Sequence, residues 1–133
     1  MNLIFTGNEL LDKDLSKKIS DSRIVYYPEY VLEEKEATTL ICSLQPNKFN
    51  FKEFMFKVRN KNIQVILILE DDMQKEIKDA LLMGIYDFVF DPFDLDQIAK
   101  KITNPTPFSE ISKYIKPLLE LENSSSFNLG KEV

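Results

Sequence analysis

The 133-residue chain contains no histidine. That absence removes the usual general base, the commonest zinc ligand and the usual switch near neutral pH. A single cysteine, Cys42, excludes an intrachain disulfide framework and any cysteine-based zinc site. Glycine is almost as scarce: Gly7, Gly84 and Gly130 are too far apart to build a phosphate-cradling loop. Positive charge is the minority, with 17 Lys and Arg against 22 Asp and Glu and a net charge of −5. A nucleic-acid or anionic-membrane surface needs a basic footprint, so neither is expected as a partner, and Lys17-Lys18 and Lys100-Lys101 read as solvated helix faces. No apolar run approaches the ~18 residues that a membrane-spanning helix requires. The first residues lack the basic, apolar and small-residue succession of a signal peptide. The expectation is a cytoplasmic soluble domain without cofactor, and most enzyme mechanisms lack parts.

What is present is 44% hydrophobic and 29% charged, an ordinary globular mixture. Short apolar runs alternate with longer amphipathic ones. Strands are predicted at Asn2 to Thr6, Arg23 to Tyr27, Thr39 to Leu44, Gln64 to Leu69 and Tyr86 to Phe90. The uninterrupted Val65-Ile66-Leu67-Ile68-Leu69 is the pattern of a parallel strand covered on both faces. Helices are predicted at Asn8 to Ser20, Glu29 to Glu36, Phe49 to Lys61, Met73 to Met83 and Asp94 to Ile102. In the first, Leu11, Leu15 and Ile19 line one face; in the third, Phe51, Phe54 and Val58 do so and read as core. Asp71 or Asp72 is the expected N-cap of the fourth helix and Asp94 of the fifth. No connection resembles a two-residue hairpin, so the simplest architecture is a parallel α/β sandwich over residues 1–103. Thr103-Asn104-Pro105-Thr106-Pro107 reads as a linker. A helix carrying Ile111, Ile115, Leu118 and Leu119 follows, interrupted at Pro117, then a loose polar tail from Asn123 to Val133. Residues 104–133 therefore read as a connection toward another part of a longer protein.

The segment Val65 to Phe93 (Val-Ile-Leu-Ile-Leu-Glu-Asp-Asp … Leu-Met-Gly-Ile-Tyr-Asp-Phe-Val-Phe-Asp-Pro-Phe) resembles the second half of a response-regulator receiver domain. Gly84, Phe88 and Pro92-Phe93 fall at matching spacing without gaps. The resemblance implies a flavodoxin-like, three-layer fold with strand order 2-1-3-4-5, and a cis bond before Pro92. It also implies where phosphoryl chemistry belongs, and there the chain departs. Thr6-Gly7-Asn8 stand where paired acids hold magnesium. The acceptor Asp falls near Cys42 or Ser43, the hydroxyl residue of the fourth strand is Leu69, and the phosphate-pairing Lys is Asp91. An acyl phosphate needs a carboxylate nucleophile, a hard cation and a neutralising cationic side chain. All three are missing, so the chain looks like a pseudo-receiver without phospho-acceptor function.

By the same resemblance, the face made by the fourth helix, fifth strand and fifth helix is where receivers dimerise or meet partners. Met83, Ile85, Tyr86, Phe90 and Phe93 are the interface candidates there, with a homodimer or another protein as occupant. Degenerate receivers of this kind stand at the N-terminus of pilus-assembly ATPases of the TadZ/CpaE type. A second reading groups Glu70, Asp71, Asp72 and Asp91 after the fourth and fifth strands as oxygen ligands for Mg²⁺ or Ca²⁺ in a regulated switch. Cys42, among Leu40, Ile41 and Leu44, reads as a buried, inert thiol.

Overall fold

In β4 (Gln64–Leu69) successive side chains point to opposite faces, so an unbroken aliphatic run demands cover on both sides. The computed structural model, which describes residues 1–117 and 119, supplies that cover with helices on each face. The elements are β1 (Asn2–Phe5), α1 (Glu9–Lys18), β2 (Ser22–Ile24), α2 (Pro28–Glu33) and β3 (Thr39–Ser43). After them come α3 (Phe51–Asn60), β4, α4 (Glu76–Leu82), β5 (Asp87–Phe90) and α5 (Leu95–Thr103). The strands form one parallel sheet in the order β2-β1-β3-β4-β5. Residues 108–117 are also helical. The expected loose tail from Asn123 onward, and Leu118, lie outside the described residues.

The period-2 alternation divides the interior into two cores. Leu3, Phe5, Leu40, Cys42, Val65, Leu67 and Leu69 face α2, α3 and α4, which contribute Val31, Phe54, Met55, Val58, Ala80 and Leu81. Ile4, Ile41, Ile66, Ile68 and Val89 face α1 and α5, which contribute Leu15, Ile19 and Ile98. This is the three-layer sandwich expected from the sequence.

Helix starts follow from short polar caps. The Asn8 side chain accepts from the Leu11 N–H, Asn50 accepts from Glu53, and Asp94 forms a reciprocal capping box with Gln97. The expectation for α4 is wrong: the helix begins at Glu76, and its cap, Lys75, makes no side-chain bond. Asp71 instead accepts from the Met73 N–H at 2.9 Å, and Gln74 Oε1 accepts from the Glu70 N–H at 2.8 Å. These local bonds hold residues 70–74 as a turn and delay the helix. β2 is likewise shorter than expected, because Pro28 opens α2 directly and draws Tyr26 and Tyr27 out of the strand. Gly84, with φ +76°, closes α4 and lets the Ile85 N–H reach back to the Ala80 carbonyl at 2.9 Å.

Candidate functional site

In parallel α/β sheets, ligand chemistry collects at the carboxyl ends of the strands. At that edge β1 ends beside β3, with Phe5 opposite Cys42. The next residues, Thr6 and Ser43, are tied together by the Ser43 hydroxyl, which donates to the Thr6 carbonyl at 2.6 Å. Beneath them lies a carboxylate absent from the sequence candidates. Asp12, in the first turn of α1, is 2% exposed and accepts from the Thr6 N–H at 3.1 Å and from the Thr6 hydroxyl at 2.5 Å. Burial raises the Asp12 pKa, and the two Thr6 hydrogen bonds and the charge of Lys48 offset part of that rise. The signal was available: Asp12 lies three residues before Leu15 and seven before Ile19, on the stripe that enters the core.

Gly7 and Gln45 close the remaining space. The Gln45 amide donates to the Phe5 carbonyl at 3.0 Å, and its Oε1 is buried without a hydrogen-bond partner. That oxygen lies 2.6 Å from where a Cβ on Gly7 would stand, so only glycine admits the amide at this point. Gly7 also has φ +74°, a conformation that L side chains rarely adopt. Lys48, from the β3–α3 loop, sits 5.7 Å over the Phe5 ring and donates to the Tyr26 carbonyl at 3.3 Å. Its ammonium provides the positive charge felt by Asp12.

The other matched positions are held by Cys42, Leu69 and Asp91. Cys42 is wholly buried; burial and then the Asp12 charge push its pKa up, which keeps the thiol protonated. Leu69 is packed into the core. Asp91 is exposed, donates its backbone N–H to the Leu69 carbonyl at 3.0 Å, and precedes Pro92 through a cis bond, as expected. Among the described residues, no three of His, Cys, Asp and Glu are grouped so as to hold a metal ion. Glu70, Asp71, Asp72 and Asp91 therefore do not converge into the cation site of the second reading. Of the first three, the Asp71 carboxylate is turned onto local backbone, at the Met73 N–H.

The interface candidates divide. Ile85 is 1% exposed and belongs to the core, so its inclusion is corrected: the Gly84 turn aims it inward. Met83, Tyr86 and Phe90 are half-buried against the α2–α3–α4 core, and Phe93 against the α1–α5 core. The chain's own continuation packs beside Tyr86. Thr106 donates its N–H to Asp87 Oδ1 at 2.7 Å, and Lys101 donates to the Thr106 hydroxyl at 3.0 Å. Asp87 Oδ2 accepts from Gln64, which also donates to the Lys101 carbonyl. Phe108 meets Tyr86 edge-on at 6.0 Å, and Ile111 is buried among the core residues. The segment expected to lead away as a linker thus returns across β5. Large apolar side chains stay exposed elsewhere: Phe56 on α3, Leu82 on α4, and Tyr26, Tyr27 and Tyr30 beside β2. Of these the sequence offered a cue only for the tyrosines, which flank the strand-ending Pro28.

No family model and no curated protein matches the chain. Solved structures do. A two-component response regulator from Clostridium difficile is 18% identical, with a TM-score of 0.63 over 77% of this chain and 92% of that one. The response regulator DrrB of Thermotoga maritima, an OmpR/PhoB homologue, is 15% identical with a TM-score of 0.65 over 84% of this chain. Only 53% of DrrB is covered, so the chain spans about half of that regulator. The chemotaxis response regulator CheY4 of Vibrio cholerae is 11% identical, with a TM-score of 0.63 over 77% of this chain and 96% of that one. These likenesses establish the fold: it is the flavodoxin-like fold of response-regulator receiver domains.

Proposed function

We propose that the chain is a pseudo-receiver, a non-catalytic module for protein interaction, dimerisation or localisation. The observation that carries this reading is the state of the β1–β3 edge. Ser43 stands near the acceptor position, its hydroxyl is committed to the Thr6 carbonyl, and the Gln45 amide fills the space beside Gly7. A phosphoryl group there would find no carboxylate at the acceptor position and a buried acid, Asp12, below it. The module is read as a regulatory part of a larger cytoplasmic protein, of the kind represented by TadZ/CpaE-type pilus-assembly ATPases. The connection to the remainder is read as starting beyond the helix at 108–117. Its partner surface is the face of α4, β5 and α5, and its first partner is a second copy of itself. The net charge of −5 weighs against nucleic acid. Amide NMR of residues 1–133, titrated with Mg²⁺ and then beryllofluoride, tests the reading. Unchanged spectra are expected; saturable shifts clustered at Cys42, Glu70 and Asp91 would refute it.

A further inference from the structure

The sheet has two edge strands, and the chain treats them differently. At β5 the returning residues lie across the edge, with the Thr106 N–H bonded to Asp87. At β2 no segment among the described residues adds to the ladder. The Asn2 N–H donates to the Asp21 carbonyl and the Val25 N–H to the Ile4 carbonyl, each at 2.8 Å, and Leu3 stands opposite Arg23. Asp21, Arg23 and Val25 therefore turn their backbone groups toward β1, and the N–H and C=O of Ser22 and Ile24 point outward. Beside them a groove of about 440 Å³ opens between β2 and α2. The buried Leu3 and Val25 form its floor, and Arg23, Tyr30, Glu33 and Glu34 line its walls.

The rim of this groove selects its occupant. Tyr26, Tyr27 and Tyr30 are each more than half exposed, and the rings of Tyr27 and Tyr30 stand 5.9 Å apart. Between residues 21 and 36 the chain carries Asp21 and four glutamates against Arg23 and Lys35. Glu34 is already engaged, by the Arg23 guanidinium at 3.1 Å and the Glu36 N–H at 3.3 Å. Glu29 and Glu33 are exposed and enter no ion pair among the described residues. Lys48 donates to the Tyr26 carbonyl, which closes the edge at that end.

We propose that β2 is a docking edge for an extended, basic segment of a partner protein, which adds to the sheet as a further strand. Its backbone meets Ser22 and Ile24, and alternate side chains enter the groove. Its Lys or Arg groups reach the Glu33 carboxylate and the exposed tyrosine faces. A carboxylate and an aromatic face side by side both attract a cation, and both repel an acidic segment. A second copy of this chain fits less well, because a two-fold contact sets Glu29 and Glu33 against like charges. The edge lies across the sheet from β5, so the proposal does not depend on the α4–β5–α5 face.

The test titrates the ¹⁵N-labelled full chain with a heptapeptide of alternating Arg and Val, blocked at both ends. Saturable amide shifts are expected at residues 22–25 and 29–34, with no comparable response to the Glu-Val counterpart. Glu33→Gln and Tyr30→Ala, both at exposed positions, should each weaken the Arg-Val peptide several-fold while the spectrum away from the groove stays that of wild type. The same peptide N-methylated at its interior residues keeps its charge, lacks the edge donors and should bind about tenfold more weakly. Absence of saturable shifts overturns the proposal. So does binding that Glu33→Gln leaves unchanged or that the methylated peptide reproduces, since either marks diffuse attraction to an acidic surface. Shifts centred on α4 and β5 overturn it as well. None of these outcomes bears on the Mg²⁺ and beryllofluoride titration, so each reading can fail alone.

Discussion

Replacing Gly7 by alanine tests whether the Gln45 amide plugs the receiver edge. Two penalties are expected. The first is conformational, since φ +74° in a residue with a Cβ costs about 1–2 kcal/mol. The second is steric: the new Cβ would stand 2.6 Å from Gln45 Oε1 and 3.1 Å from its Cδ, so the amide must leave. Its departure breaks the 3.0 Å bond to the Phe5 carbonyl, worth about 0.5–1.5 kcal/mol. Gly7→Ala should therefore cost about 2–3 kcal/mol, and Gln45→Ala alone about 1 kcal/mol, from the lost bond. In the double variant there is no amide left to displace, and only the backbone penalty adds to the loss of Gln45. The two effects should be sub-additive by about 1 kcal/mol, well above the ~0.5 kcal/mol scatter of independent sites. Urea unfolding followed by far-UV circular dichroism measures all four proteins. Full additivity would show that Gln45 does not sit against Gly7, and the plugged-edge argument would fall with it.

Asp12→Asn isolates the buried acid. Its raised pKa means that the folded chain holds this proton more tightly than the unfolded chain does. Its contribution to stability is thus greatest below the usual carboxylate range and declines as pH rises through the folded-state value. Asparagine keeps an oxygen for both Thr6 donors without a charge to desolvate. The variant should be at least as stable as wild type at pH 7 and lose its advantage in acid; a clearly less stable variant at pH 7 would contradict this. Ile111→Ala removes a core contact that belongs to a separable helix. Its cost should be limited to undocking, about 1–2 kcal/mol, against about 3–5 kcal/mol for Leu67→Ala in the central core. Hydrogen exchange should show protection lost only over 106–117, and a global loss equal to that of Leu67→Ala would refute the distinction. Asp87→Ala leaves the Thr106 N–H without its acceptor, which should cost about 2 kcal/mol and loosen the same segment in the same experiment. Cys42 should resist a thiol reagent in the native protein and react fully in urea; fast native labelling would refute its burial.

The fold was legible because its signals are periodic. Val65 to Leu69 announces a two-sided strand, and the alternation of short apolar runs with amphipathic ones leaves little besides a parallel sheet. Element ends were read well where one residue decides them, as at Asn8 and Asp94. They were misread where several polar residues compete: Asp71 and Asp72 both suit a cap, and which backbone N–H takes which side chain depends on loop closure. Asp12 escaped notice because an acid in a first helical turn normally faces water and complements the helix dipole. Its burial depends on Thr6, which sequence distance alone does not bring near. The return of residues 104–111 was illegible for a related reason. Two prolines specify an extended segment but not its direction, and Asp87 reads as a surface residue until Gln64 and Thr106 converge on it.

The contribution of Ile111 to the interior has a consequence for the order in which the protein is made. As the polypeptide leaves the ribosome, all five strands emerge before Ile111 does, so the β5 edge at first lacks its cover. Translation at about 5–20 residues per second leaves roughly a second between the emergence of α5 and that of residue 115. Through that interval the nascent polypeptide presents Phe88, Phe90 and an unprotected strand edge to whatever lies nearby, including an identical chain growing on a neighbouring ribosome.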